Sequence, residues 1–166
     1  MATVDDLQNA FAGESQANRR YLAFAKRAEA EGYPEVAKLF RAAAEAETIH
    51  AHAHLRAMGG IKSTKENLEE AVKGESFEFK QMYPGYVERA REEQAKAALA
   101  SFQNAMTVEQ VHCSLYMEAL KAVETGKDTP ARKIFVCSVC GNTVLDEPPE
   151  RCPVCGAPKG KFGEVQ

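Results

Sequence analysis

Apolar positions recur at three- and four-residue spacing from residue 3 to about residue 124, among Ala, Glu, Lys, Arg, Gln and Leu. That period and that composition predict amphipathic helices and leave no place for strands. The pattern breaks at Gly32-Tyr33-Pro34, across Gly59-Gly60 to Ser63-Thr64, and near Gln94, where the apolar phase slips without a strong breaker. Four helices are expected, over about 3–31, 35–58, 64–92 and 95–124, with Pro84-Gly85 kinking or interrupting the third. At about 1.5 Å per residue each would be roughly 35–45 Å long, the proportions of an all-α four-helix bundle over residues 1–124. Residues 125–133, TGKDTPARK, are polar, contain one Gly and one Pro, and read as a linker. Residues 134–166 change character again, with four prolines, four glycines and few helix formers, and form a small second domain.

The helical part repeats itself. Shifted by 62 residues, RAEAEGYPEVAKLFRAAAEAETIH (27–50) lies over RAREEQAKAALASFQNAMTVEQVH (89–112) without a gap, with seven identities, and both segments end on Glu-x-x-His. Upstream, Gly-Glu-Ser at 13–15 returns at 74–76 with an offset of 61, one residue different. The bundle therefore reads as two copies of a helix pair, in which the first helix bears one Glu and the second bears Glu-x-x-His.

Residues three apart on a helix share a face, so Glu47 with His50 and Glu109 with His112 each present a carboxylate and an imidazole toward one point. Two helices with Glu-x-x-His and two with a single inward Glu form the ligand set of a dinuclear iron or manganese site. The candidates are Glu14, Glu47, His50, Glu75, Glu109 and His112. Most of the 24 acidic residues are solvated helix carboxylates, but these six groups would otherwise face the core unpaired, at roughly several kcal/mol each.

The repeat is broken at one informative place. GESFE adds Glu78 three residues after Glu75, where the first copy has Ala17. Five carboxylates and two imidazoles exceed what two metals need at once. Ferric iron favours carboxylate oxygen and ferrous iron accepts imidazole more readily, so one iron is expected on Glu78 when oxidised and nearer His50 when reduced. His54, one turn from His50, offers a zinc pair as the alternative, but neither His52 nor His54 has a counterpart in the second copy, where positions 114 and 116 are Ser and Tyr. Tyr21, two turns after Glu14, and Tyr83, five residues after Glu78, are placed either to hydrogen-bond ligands and bound oxygen species or to serve as plain core tyrosines. Cys113, beside His112, reads as a small buried side chain.

Composition narrows the field. A 45% hydrophobic chain can bury a core, and 21 basic residues interleaved with 24 acidic ones, net charge -3, argue against a nucleic-acid partner. The opening MATVDDLQNAF lacks an apolar export core and no run of 18 apolar residues occurs, so a cytoplasmic protein without a membrane partner is expected. Four of the five cysteines fall late in the chain as Cys137-x2-Cys140-x11-Cys152-x2-Cys155. In a reducing compartment such pairs hold metal, and four thiolates make a tetrahedral site without which this segment would not fold. Spacing does not choose between zinc and iron. A structural zinc ribbon is one reading; beside a centre that must gain electrons, a one-electron iron site is the other.

GESQANRRY, EGYPEVAKLFRAAAEAETIHA, GESFEFKQMYP and the terminal CxxCG with CPVCGAP resemble the rubrerythrin family, a ferritin-like di-iron bundle followed by a rubredoxin-like domain. The resemblance covers nearly the whole chain; the added Glu of GESFE and the cysteine tail set it apart from ferritins and bacterioferritins. It implies dinuclear iron ligands Glu14, Glu47, Glu75, Glu78, Glu109, His112 and the redox-dependent His50, with Glu47 and Glu109 bridging. It implies a mononuclear iron on Cys137, Cys140, Cys152 and Cys155, which zinc can replace in preparations. The activity implied is a peroxidase that reduces hydrogen peroxide to water, with Glu78, His50, Tyr21 and Tyr83 in the chemistry. Its electrons would come from an NAD(P)H-linked reductase or a rubredoxin, one at a time through the four-cysteine iron. Rubrerythrins dock this tail on the neighbouring subunit of a homodimer, and the same is expected here. Two features depart from the family pattern: the cysteine pairs are closer together than in free rubredoxins, and Gln94 stands where the first hairpin has Gly32. The second suggests a displaced break between helices, with room for the helix exchange between subunits that some members show. The rival functions are a ferroxidase or iron-storage protein, a zinc-ribbon helical adaptor, and an oxygenase that activates dioxygen.

Overall fold

The computed structural model describes residues 2–166, which form two compact units, one through Lys62 and one from Ser63 onward. In the first, α1 (Ala2–Ala30) and α2 (Pro34–Ala57) pack as a hairpin. Its buried positions are mostly alanine, with Ala25, Ala28 and Ala37 packed against Phe40 and with Ala44 and Ala51 also buried. Small side chains let the two backbones approach closely. Asn18 exploits that approach: its buried amide donates to the Ala44 carbonyl at 2.7 Å and to Thr48 Oγ1 at 2.8 Å, tying α1 to α2 in one register.

The second unit begins with α3 (Thr64–Phe77), entered through a capping box in which Ser63 Oγ accepts from the Glu66 N–H while the Glu66 carboxylate accepts from the Ser63 N–H. A π-helical turn, Glu78–Met82, follows, and α4 (Tyr83–Glu92) continues the rod. In the π turn the Tyr83 N–H donates to the Glu78 carbonyl five residues back. α5 (Lys96–Glu124) packs against α3 and α4.

The π turn explains why the two repeats are offset by 61 residues upstream and 62 downstream. GESQANRRY spans nine residues from Gly13 to Tyr21, whereas GESFEFKQMY spans ten from Gly74 to Tyr83. A π turn is how a helix absorbs one extra residue. Beyond it the copies superpose again at 62: Tyr21 and Phe24 stack on Phe40 at 6.2 and 5.6 Å, and Tyr83 and Tyr86 stack on Phe102 at 6.3 and 5.5 Å. The interruption expected in the third helix is present but lies ahead of the proline. Pro84 sits in the first turn of α4, where a missing N–H is tolerated.

The break expected to be displaced by Gln94 is not displaced. Tyr33 N–H donates to Ala28 O at 2.8 Å and Ala95 N–H to Ala90 O at 2.9 Å, so the same helix-ending turn closes both hairpins 62 residues apart. Gly32 takes φ +83° there, and Gln94 is held at φ +55°, a left-handed conformation that strains a residue with a Cβ.

The tail is a three-stranded antiparallel sheet of β1 (Ile134–Cys137), β2 (Thr143–Leu145) and β3 (Phe162–Glu164), in the order β2-β1-β3. Among the described residues no helix is long and apolar enough to cross a membrane. The strained turn yields a prediction. Gln94→Gly should stabilise the second unit by about 0.5–1 kcal/mol, left-handed strain relieved less the extra entropy of an unfolded glycine; urea unfolding would show a higher midpoint, and an unchanged midpoint would mean the turn carries no strain.

Candidate metal centre

Each helix pair folds its predicted ligands into a triad. In the first unit Glu14 from α1 meets Glu47 and His50 from α2, and in the second Glu75 from α3 meets Glu109 and His112 from α5. Within each triad the donor atoms all lie within 4.8 Å of one another. His50 Nδ1 is 3.1 Å from Glu47 Oε2, and His112 Nδ1 is 2.8 Å from Glu109 Oε2. Metal–ligand bonds of about 2.0–2.2 Å at right angles give an edge of about 3 Å between neighbouring donors. The donor set therefore fits metal ions held between oxygen and nitrogen.

Electrostatics in the second triad confirm how tightly it is drawn together. Burial first, then the Glu109 carboxylate and a hydrogen bond to it, raise Glu75 to about 7 against an ordinary 4.5. Burial and Glu109 raise Glu78 as well. Tyr83 is raised by burial and then by Glu78, Glu109 and Glu75, which sets its ring close to all three carboxylates. Glu78 opens the π turn and lies outside the tight Glu75–Glu109–His112 group while still feeling Glu109. Among the described residues neither the Tyr21 nor the Tyr83 hydroxyl hydrogen-bonds a ligand carboxylate. His52 is exposed, and neither His52 nor His54 joins a ligand group. Cys113 is buried with Sγ toward the Val72 carbonyl, between α5 and α3.

In the tail the four cysteines converge. Cys137 and Cys155 sulfurs are 3.8 Å apart, and those of Cys140 and Cys152 are 3.6 Å apart. A tetrahedron with metal–sulfur bonds of about 2.3 Å has edges of about 3.8 Å, so the thiols already stand at the corners of a metal site. Each Cys-x-x-Cys turn closes on a glycine with positive φ, +84° at Gly141 and +75° at Gly156, whose N–H donates to the carbonyl of the first cysteine. Burial pushes the Cys140 thiol up. Burial also acts on Cys152, but the Cys155 and Val154 N–H groups more than offset it and bring that thiol down to about 7.

Comparison with known proteins agrees with this pairing of sites. The rubrerythrin family model matches residues 5–120, and the model of the rubrerythrin rubredoxin-like domain matches residues 135–163. The chain belongs to the rubrerythrin family. It is 39% identical to rubrerythrin-2 of Clostridium acetobutylicum over 96% of this chain and 95% of that one. It is 33% identical to nigerythrin of Nitratidesulfovibrio vulgaris over 97% of this chain and 85% of that one. Solved structures of nigerythrin in a mixed-valence state and in a fully reduced, all-ferrous state superpose with TM-scores of 0.57 and 0.58, at 32% identity, covering 98% of this chain and 86% of nigerythrin. As a rubrerythrin, the chain pairs a ferritin-like helical part with a rubredoxin-like tail, and its carboxylate–histidine and four-thiol donor sets suit iron.

The tail seats on its own α5: Thr143 Oγ1 lies 2.9 Å from His112 Nε2, and Gly141 packs against Val108. The linker allows this, because nine extended residues reach about 30 Å while the helix from His112 to Glu124 runs about 18 Å. Sequence reasoning missed Thr143, whose only signal was its place just after a Cys-x-x-Cys-Gly turn, and Asn18, whose signal was a polar residue one turn beyond Glu14. Beside His112 a cleft of about 670 Å³ runs along α5 toward the linker, lined by Leu115, Ala119, Arg132, Ile134 and Leu145 among others.

Glu75 gives this site a pH signature. Between its ordinary 4.5 and the folded value of about 7, the metal-free protein binds more protons folded than unfolded, so its stability falls as pH rises through that window. Urea unfolding of metal-free protein at about pH 5 and about pH 7.5 should show the lower midpoint at the higher pH, and Glu75→Gln should remove most of the difference. An equal slope in the variant would assign the effect to other groups.

Proposed function

We propose that the protein is a non-haem di-iron peroxidase that reduces hydrogen peroxide to water, with electrons delivered through the four-cysteine iron. The observation that carries the reading is the hydrogen bond from the tail to His112, which brings an electron-carrying type of site to a ligand of the carboxylate–histidine set. The balance is one peroxide, two electrons and two protons to two waters. Iron bound at the two donor sets would supply those electrons to the O–O bond as a pair and recover them singly.

Iron would be held by Glu14, Glu47 and His50 in the first unit and by Glu75, Glu109 and His112 in the second, together the ligands of the proposed dinuclear centre. Glu78 and His50 are alternative ligands for the oxidised and reduced forms. In support, Glu78 stands outside the tight triad, and His50 is the more exposed imidazole, its side chain 56% exposed against 28% for His112. Glu78, which keeps its proton to higher pH than an ordinary carboxylate, and Tyr83 beside it are the proton-bearing groups near the centre. Tyr21 holds the matching position in the first copy. The cleft beside His112 admits a solute as small as peroxide.

The working form is a homodimer in the cytoplasm. Leu39 and Ile49 on α2, 69% and 59% exposed, are large apolar side chains that a second chain would cover, and exchange of helices is one way to do so. The electron donor is a rubredoxin or an NAD(P)H-linked reductase. Val139, 57% exposed between Cys137 and Cys140, offers it an apolar contact beside the thiols.

Anaerobically purified protein should contain about three irons per chain, two at the carboxylate–histidine set and one at the thiols. One equivalent of peroxide should oxidise the reduced protein much faster than air does, and Glu78→Ala should slow peroxide turnover by about tenfold or more, about 1.4 kcal/mol of barrier. Oxidation by air as fast as by peroxide, with a many-subunit shell in solution, would move the protein to the ferroxidases. Zinc at the thiols in cells would remove the electron inlet.

A further inference from the structure

The two imidazoles of the repeat are not held alike. His112 uses both nitrogens, Nδ1 toward Glu109 Oε2 at 2.8 Å and Nε2 toward Thr143 Oγ1 at 2.9 Å, whereas among the described residues His50 has a partner only at Nδ1. Thr143 is held in a fixed place. It pairs with Val136 in the β1–β2 ladder, and the preceding Asn142 is buried, its carbonyl accepting from the Cys137 N–H at 2.9 Å and its N–H bonding the Cys140 sulfur. A β-branched side chain on such a strand has little rotamer freedom. Its hydroxyl has one proton, and the Gly141 carbonyl lies 3.3 Å away to accept it. In the metal-free protein Glu109 Oε2, an acceptor 2.8 Å away, draws the hydrogen to Nδ1, and Nε2 accepts from the Thr143 hydroxyl; with a metal at Nδ1 the hydroxyl can turn its hydrogen to the Gly141 carbonyl and accept from Nε2–H instead, so it holds the ring in both states.

We propose that Thr143 is a positioning residue: its hydroxyl, supplied by the C-terminal sheet, fixes the ring orientation of His112 through Nε2, and so aims Nδ1 as a metal ligand. His50, with no such partner, stays free to turn. The inference rests on the metal-site reading given under the proposed function, and it adds to that reading a residue that makes one half of the duplicated centre rigid and leaves the other adjustable. The repeat cannot supply this difference, because both copies carry the same Glu-x-x-His. The tail, present once, makes the two imidazoles different. A ligand histidine whose second nitrogen is held by a neighbouring group is more basic and better aimed.

The test uses the full chain with one equivalent of zinc, which the four thiols take, leaving the carboxylate–histidine set empty. NMR relaxation of the histidine rings should show a rigid His112 ring in the native protein and in Thr143→Ser, and a mobile one in Thr143→Val. Titration with Co²⁺ should show binding weakened by about tenfold or more in Thr143→Val and restored in Thr143→Ser. Thr143→Ala, which also lacks the hydroxyl, should follow Thr143→Val. Identical ring mobility and Co²⁺ affinities in native protein and Thr143→Val would overturn the proposal, as would a Thr143→Ser variant that behaves like Thr143→Val. Neither readout involves peroxide, so a native protein without peroxide turnover that still gave these results would remove the peroxidase function and leave the positioning role supported.

Discussion

Carboxylates drawn within a few ångströms of one another repel, and a fold that gathers them is stable only where protons, imidazoles or metal ions neutralise them. That constraint organises this chain. Glu75 answers it in the metal-free state by keeping a proton to about pH 7 and sharing a hydrogen bond with Glu109, and a bound cation would answer it by displacing that proton. The alanine-lined hairpin serves the same end. Backbones brought close by Ala25, Ala28, Ala37 and Ala44 place short-reaching glutamates opposite a Glu-x-x-His face, and Asn18 fixes the register in which they meet.

Duplication uses one helix-pair design twice, and the copies differ in two places near their triads. One extra residue in the second copy forces a π turn, and Glu78 stands at its start. A regular helix carrying the same residues would rotate everything beyond the insertion by about 100°. The π turn absorbs that rotation, so Tyr83 and Tyr86 meet Phe102 at centroid distances of 6.3 and 5.5 Å, close to the 6.2 and 5.6 Å of Tyr21 and Phe24 from Phe40. The second difference is the tail, which reaches His112 and leaves His50 without an equivalent contact. Both departures act on the site, one by adding an acid and the other by restraining a base.

The metal sites show how much local spacing can reveal. Glu-x-x-His on a helix and Cys-x-x-Cys-Gly on a turn are short-range arrangements, so the residues of each triad and of the thiol cluster were legible together with the helices that carry them. The limits of legibility were equally physical. Gln94 looked like a displaced break because it lacks glycine's freedom, yet hydrogen bonds on both sides hold it at a positive φ. Pro84 drew attention as the interrupting residue, though an inserted residue just before it does the interrupting.

By itself the sequence determined the helices, the duplicated ligand faces, the four-cysteine knuckles and the family, because each depends on residues within a few turns of one another. Tertiary structure alone decided that a threonine in the tail meets an imidazole 31 residues earlier, that an asparagine locks one helix pair, and that the tail returns to its own last helix. Those contacts join segments far apart along the chain, and a hydroxyl or an amide becomes a partner only when packing fixes the distance between them.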